Sequence, residues 1–154
     1  MWESIPGDEL TAEEKAFFEA FLYAATAVQR GVDADLTYEQ QKTLSEYTTL
    51  LRLATAPGRR LRINELAAAC SLSLSRMSRI VEKLETLGLL RREPALNDRR
   101  GWNAVLTEAG AESVRRGAPT YAKSARRHVL DRLDSNQLAA LTPLLRRLAG
   151  LPPR

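Results

Sequence analysis

Cysteine and histidine are almost absent from this 154-residue chain, which has one of each, Cys70 and His128. A lone cysteine excludes an internal disulfide framework and fits a reducing compartment, so the expected location is the cytoplasm. One thiol and one imidazole cannot assemble a typical zinc site. Also missing is an apolar run of about 18 residues, the length a membrane-crossing helix needs. The start, Met1-Trp2-Glu3-Ser4-Ile5-Pro6, has neither a basic lead nor an apolar stretch and does not read as a secretory signal. No Gly-x-Ser-x-Gly elbow, phosphate loop or His-Glu-x-x-His helix is present. An enzyme is not expected, nor are catalytic residues, a metal or a cofactor.

What is present is charge, unevenly placed. Residues 1–58 carry 4 Lys/Arg against 10 Asp/Glu, residues 59–127 carry 15 against 7, and residues 128–154 carry 4 against 2. A basic middle between an acidic start and a nearly neutral end points to a localised polyanion site, although a solvated charged surface gives the same count. The length suggests a single domain, 1–154, with a respectable core.

Along the chain, residues 1–10 read as frayed. Thr11-Ala12-Glu13-Glu14 is a capping-box sequence opening a helix that runs to about Lys42. Phe17, Phe21, Ala24 and Val28 form one apolar stripe on it, and Phe18, Leu22, Ala25, Val32 and Leu36 form a second beside it. Two stripes need two surfaces: one in the same chain and one on a second subunit, or both inside a monomeric bundle. Gly31 interrupts the pattern and is a candidate bend. Ser45 reads as the N-cap of a short helix carrying Tyr47, Leu50, Leu51 and Leu53, which Pro57-Gly58 ends. Leu61-Arg62-Ile63 suggests a short strand, Glu65 to Ala69 a short helix with small residues, and Cys70-Ser71-Leu72 a turn.

Ser73 then caps a helix over Leu74 to Leu87, with Gly88 as its left-handed stop. At 100° per residue, Met77, Ile80, Val81 and Leu84 share one arc of about 100°. Arg76, Arg79 and Lys83 cluster on the neighbouring arc, with Ser75 and Ser78 beyond them. Leu89 to Glu93 and Trp102 to Leu106 flank a basic turn, Pro94 to Gly101, and read as a hairpin. Thr107 caps the next helix, where Gly117-Ala118-Pro119 suggests a kink. Asp134 with Gln137 caps a last helical region carrying Leu138, Leu141, Leu145 and Leu148. Pro143 interrupts it, and Thr142-Pro143 reads as the cap and first residue of a separate short helix. The tail 151–154 reads as disordered.

The order helix, turn, helix, hairpin is a winged helix-turn-helix layout, mainly α with a small β-hairpin wing. A helix fits the major groove of a duplex, and residues near its N-terminus reach base edges. Ser73, Ser75, Arg76, Ser78 and Arg79 hold those positions, and the wing extends Arg99 and Arg100 along the duplex. Arg59, Arg60, Arg91 and Arg92 suit phosphates better than bases.

From Thr11 to Leu148 the chain resembles the MarR family of bacterial transcriptional regulators. The resemblance rests on Asn97-Asp98-Arg99-Arg100-Gly101 followed by Leu106-Thr107-Glu108-Ala109-Gly110, which match the family pattern Asp-x-Arg and then Leu-Thr-x-x-Gly. Glu65-Leu66-Ala67, Leu72-Ser73-x-Ser75 and Leu84-Glu85-x-x-Gly88-Leu89 match as well.

The resemblance implies a DNA-binding lobe over 45–107 and a helical dimerisation region over 11–42 and 108–149. It implies a recognition helix over Leu74 to Leu87 using Ser73, Ser75, Arg76, Ser78, Arg79 and Lys83. Asp98 and Arg100 would stiffen the wing, with Arg99 or Arg100 in the minor groove; the same pair also reads as a plain surface salt bridge. Phe17, Phe21, Leu138, Leu141 and Leu145 would form the homodimer interface. The partner would be double-stranded DNA, a pseudo-palindromic operator, with a small aromatic or anionic effector bound between the dimer helices and the lobe. The other reading of the same fold is a protein-interaction module that binds no DNA. Cys70, in the turn and not in the first helix, reads as a small core residue, and His128, Tyr47 and Trp102 read as packing groups.

Overall fold

The computed structural model describes residues 10–96 and 100–152. Residues 1–9, Asn97, Asp98 and Arg99, and residues 153–154 lie outside the described residues, and with them most of the start expected to fray and part of the tail expected to be disordered. Among those described, no helix is long and apolar enough to cross a membrane.

Helix α1 (Ala12–Gln40) opens on the expected capping box: Glu14 N–H donates to Thr11 Oγ1 at 3.2 Å, and Thr11 N–H to Glu14 Oε2 at 2.8 Å. Helix α2 (Leu44–Thr55) is capped by Thr43 and not by Ser45. Thr43-Leu44-Ser45-Glu46 carries the Thr-x-x-Glu spacing, so two backbone donors are satisfied reciprocally, and Ser45 falls inside the first turn. Strand β1 (Arg60–Arg62) and helix α3 (Ile63–Ala69) follow, then α4 (Leu74–Thr86), β2 (Leu90–Pro94), β3 (Trp102–Leu106), α5 (Glu108–His128) and α6 (Ser135–Leu148). The strands form one antiparallel sheet in the order β1-β3-β2, with Leu61 opposite Ala104 and Arg92 opposite Ala104 from the other side.

The principal core joins the lobe's elements. Leu50 and Leu53 of α2, Leu66 of α3, and Met77, Val81 and Leu84 of α4 meet Leu90 and Leu106 of the hairpin and Val114 of α5. A smaller cluster of Val32, Leu36 and Tyr47 ties α1 to α2, and the Tyr47 hydroxyl donates to the Val114 carbonyl at 3.2 Å.

Three helices run unbroken through residues that local propensity marks as irregular. Helix α1 runs unbroken through Gly31. A Cβ there would lie 2.5 Å from His128 Cε1, so the glycine makes room for the imidazole of α5. Helix α5 is continuous through Pro119, and Gly117 admits the Tyr47 ring, 2.5 Å from where its Cβ would stand. Helix α6 is likewise one helix through Pro143, so Thr142-Pro143 starts nothing new; the Thr142 hydroxyl instead donates back to the Leu138 carbonyl at 2.7 Å. Trp102, expected as a packing group, is half-exposed.

The α1–α5 seam is polar at one point. Asp35 accepts from the Ser124 hydroxyl at 2.6 Å through Oδ2 and from the Arg127 guanidinium at 3.1 Å through Oδ1, and His128 Nε2 lies 3.0 Å from the same Oδ2. The Ser124 hydroxyl first, then His128 and Arg127, hold the Asp35 carboxyl below the usual carboxylate range. A depressed folded pKa stabilises the fold above the unfolded value of about 4, and that stabilisation is lost as pH falls through the folded value. Asp35→Asn is therefore expected to lower the melting temperature at pH 7, with the gap to the parent protein narrowing below about pH 4. Thermal melts across that range check it; an identical gap at both ends would remove the carboxylate from the account.

Candidate nucleic-acid interface

Helix α4 is anchored in the lobe's core. Met77, Val81 and Leu84, spaced i, i+4 and i+7, have no accessible surface, and this fixes which side of the helix faces outward. Ser73 caps it as expected, with Arg76 N–H donating to Ser73 Oγ at 3.2 Å, and Gly88 ends it at φ +71°. The tight α3–α4 turn uses Leu72 N–H to the Ala67 carbonyl at 2.9 Å and a left-handed Ser71 at φ +54°. Cys70 ends α3 half-buried beside Thr49, and burial pushes its thiol up, away from the reactive thiolate.

The outward side carries Ser73, Ser75, Arg76, Ser78 and Arg79, all exposed. Arg79 makes no ion pair or hydrogen bond with a described residue, and Arg76 has one long bond to Ser45 Oγ, 3.3 Å. The Ser78 hydroxyl donates to the Leu74 carbonyl at 2.9 Å and retains acceptor capacity outward. Lys83 is arranged differently: its ammonium lies 2.6 Å from Glu46 Oε1 of α2.

The hairpin opens onto the same surface. Arg62 and Asn64 at the start of α3, Leu74 and Ser78 of α4, and Arg100 and Trp102 of the wing line one open cleft of about 340 Å³. One rod-like ligand can thus touch α4 and the wing base together. Asp98 and Arg99 lie outside the described residues, so the expected Asp98–Arg100 pair is not described.

The arginines around the wing base are held by carboxylates. Arg60 and Arg91 both reach Glu93 at 2.8 Å, and Arg59 reaches Glu108 at 2.9 Å. Arg92 binds Glu85 twice, through its backbone N–H at 2.9 Å and its Nε at 2.8 Å. The backbone donor, more than the guanidinium, pulls the Glu85 carboxyl below its ordinary value. That pair fastens β2 to α4 and so sets the wing against the helix. Sequence reasoning did not find Glu85 or Glu46 in these roles. Their partners are 7 and 37 residues away, and no local pattern marks either pairing.

The residues expected at a subunit interface lie apart from this face. Phe17 and Phe21 stack at 6.4 Å between ring centres on α1, and Phe17 is 65% exposed. Leu138 is half-buried, Leu141 and Leu145 are exposed, and no residue of α6 is buried.

An outward-facing, serine-capped helix flanked by a β-hairpin, on a lobe built of α2, α3 and a three-stranded sheet, defines a winged helix-turn-helix protein. The MarR family model matches residues 42–101. The chain is similar to Sco3205, a MarR family transcriptional regulator from Streptomyces coelicolor solved in complex with DNA: 39% identity, TM-score 0.85, covering 94% of each chain. It is also similar to AbsC, a MarR family transcriptional regulator from the same organism, at 35% identity and TM-score 0.79, covering 92% of this chain and 97% of that one. A mutant MarR from E. coli complexed with operator DNA shares the fold at 20% identity, with TM-score 0.76 and coverage of 92% and 99%. The chain belongs to the MarR family of transcriptional regulators, which are not enzymes.

Proposed function

We propose that this protein acts in the cytoplasm as a homodimeric repressor that binds a pseudo-palindromic operator in double-stranded DNA. The observation that carries this reading is the cleft shared by α4 and the wing, lined by Ser78, on a helix that also exposes Ser75, Arg76 and Arg79, the last with no partner among the described residues. In this reading the N-terminal half of α4 enters the major groove, where Arg76 and Arg79 pair with guanine edges and Ser73, Ser75 and Ser78 bond to bases or phosphates. Arg100, with its chain neighbours Arg99 and Asp98, follows the adjacent minor groove in this reading. Lys83, two turns beyond Arg76 and paired with Glu46, is not counted among the duplex contacts in this reading. The DNA in the Sco3205 complex supports the choice of ligand.

Exposed Phe17, Phe18 and Leu22 on α1 and Leu141, Leu145 and Leu148 on α6 support a second copy as the cover for both helices. A two-fold dimer places its two α4 helices in successive major grooves about 34 Å apart. A small aromatic or anionic effector bound between the dimer helices and the lobe would change that spacing and release the DNA.

The test is a salt titration of binding to a duplex selected from a random pool, with sedimentation alongside. Phosphate contacts are expected to make affinity fall steeply with salt, with a slope in log–log form of about −0.9 per contact, and the protein is expected to sediment as a dimer. Failure to select any duplex, or binding indifferent to salt, would favour the protein-interaction module.

A further inference from the structure

We propose that Glu46 is a positioning residue for DNA recognition, acting through Lys83 to hold α4 at a fixed pitch against α2; this rests on α4 being the groove-entering helix. Glu46 is buried in the first turn of α2, its side chain 7% exposed, and both its oxygens are used. One accepts the Thr43 N–H at 3.1 Å and closes the capping box; the other accepts the Lys83 ammonium at 2.6 Å.

The capping box alone does not call for a charge, because glutamine serves at that position as well as glutamate. Burying a carboxylate is costly unless a cation meets it. The charge of Glu46 is therefore accounted for by Lys83. Lys83 in turn is seven residues beyond Arg76, about 10 Å farther along the helix axis. That is well past the N-terminal positions that reach base edges.

Arg76 and Lys83 lie two turns apart on one edge of α4, and both bond to adjacent residues of α2, Ser45 and Glu46. Between them the Thr49 hydroxyl approaches the Met77 sulfur at 3.9 Å. The same turn of α2 is fastened on its other side to α1, where Asp33 accepts the Leu44 N–H at 2.7 Å. The start of α2 is thus a joint, with the long helix on one side and the recognition helix on the other. The buried Met77, Val81 and Leu84 set the orientation of α4 on the lobe; the Glu46–Lys83 pair secures its pitch against α2.

Glu46→Gln keeps the cap acceptor and removes the charge; Lys83→Met keeps the stem and removes the ammonium. Each, and the double variant, would be titrated with a duplex selected from a random pool by the parent protein, and with an unselected duplex, across a salt series. The expected result is a loss of about three- to tenfold for the selected duplex in each single variant. The double variant is expected to be no worse than either single one, with the salt slope and the unselected-duplex affinity unchanged. A salt slope shallower by about one contact in Lys83→Met, with tighter binding in Glu46→Gln as the lysine is released, would make Lys83 a direct phosphate ligand and overturn the proposal. Unchanged affinity in both variants would overturn it as well. If the parent protein selects no duplex, it is the DNA-binding reading that fails, which separates the two outcomes.

Discussion

Arg79→Ala is expected to weaken binding to the selected operator by about 1–3 kcal/mol, roughly 5- to 150-fold, while affinity for unrelated duplex falls much less. The asymmetry follows from where the side chain is. Arg79 is exposed on the second turn of α4, has no partner among the described residues, and shares its edge with Arg76. A guanidinium that gives up no internal bond on reaching a guanine keeps the full gain of the bidentate contact. Arg76→Ala is expected to cost somewhat less, because Arg76 must first leave Ser45, although that bond is long and exposed. Arg126→Ala, an exposed arginine on α5 away from the cleft, is the control. Competition binding with selected and scrambled duplexes reads the difference. Equal losses on both duplexes would make Arg79 a phosphate contact, and no loss on either would remove α4 from the groove.

Leu84→Ala is expected to produce the largest loss of stability, about 2–5 kcal/mol. Leu84 has no accessible surface, and its cluster draws on α2, α3, the hairpin and α5, so the cavity left behind borders several elements that cannot all collapse. For a chain of this size, each kcal/mol corresponds to about 2–4 °C in melting temperature. Thermal unfolding should therefore shift by roughly 5–20 °C, with operator binding lost in parallel as α4 loses its anchor. Leu84→Met, which nearly conserves volume, should cost less than about 1.5 kcal/mol. A melting curve unmoved by the alanine would contradict the packing of α4 described above.

The regulator's charge pattern also reads differently once its geometry is known. The basic excess of residues 59–127 is real, but Arg59, Arg60, Arg91 and Arg92 are each within 3 Å of a carboxylate. Exposed pairs of this kind contribute about 0–1 kcal/mol to stability, so they do little to hold the lobe together. They leave their guanidinium groups shared between protein and solvent. The unshared positive charge of α4 is concentrated at Arg79 and, loosely held, at Arg76.

Much of the architecture was written locally. Period-3.6 apolar spacing fixed which side of α4 would be buried. Thr11, Ser73, Thr107 and Asp134 announced helix starts through short-range side-chain to backbone bonds, and Gly88 announced a stop. Asp-x-Arg and Leu-Thr-x-x-Gly marked the wing and the helix after it. All of these signals act within a few residues, which is why one chain without a structure suffices to read them. Other features depend on distant groups. Gly31, Gly117 and Pro143 look unfavourable in a helix on local propensity alone. In the structure, two of them give room to His128 and Tyr47, and the third is carried through an unbroken helix. The pairings of Glu46 with Lys83, Glu85 with Arg92 and Asp35 with Ser124, Arg127 and His128 exist only because helices cross at particular angles. Long-range polar contacts depend on the mutual orientation of rigid elements, and packing of the whole lobe, not the neighbouring residues in the chain, decides that orientation.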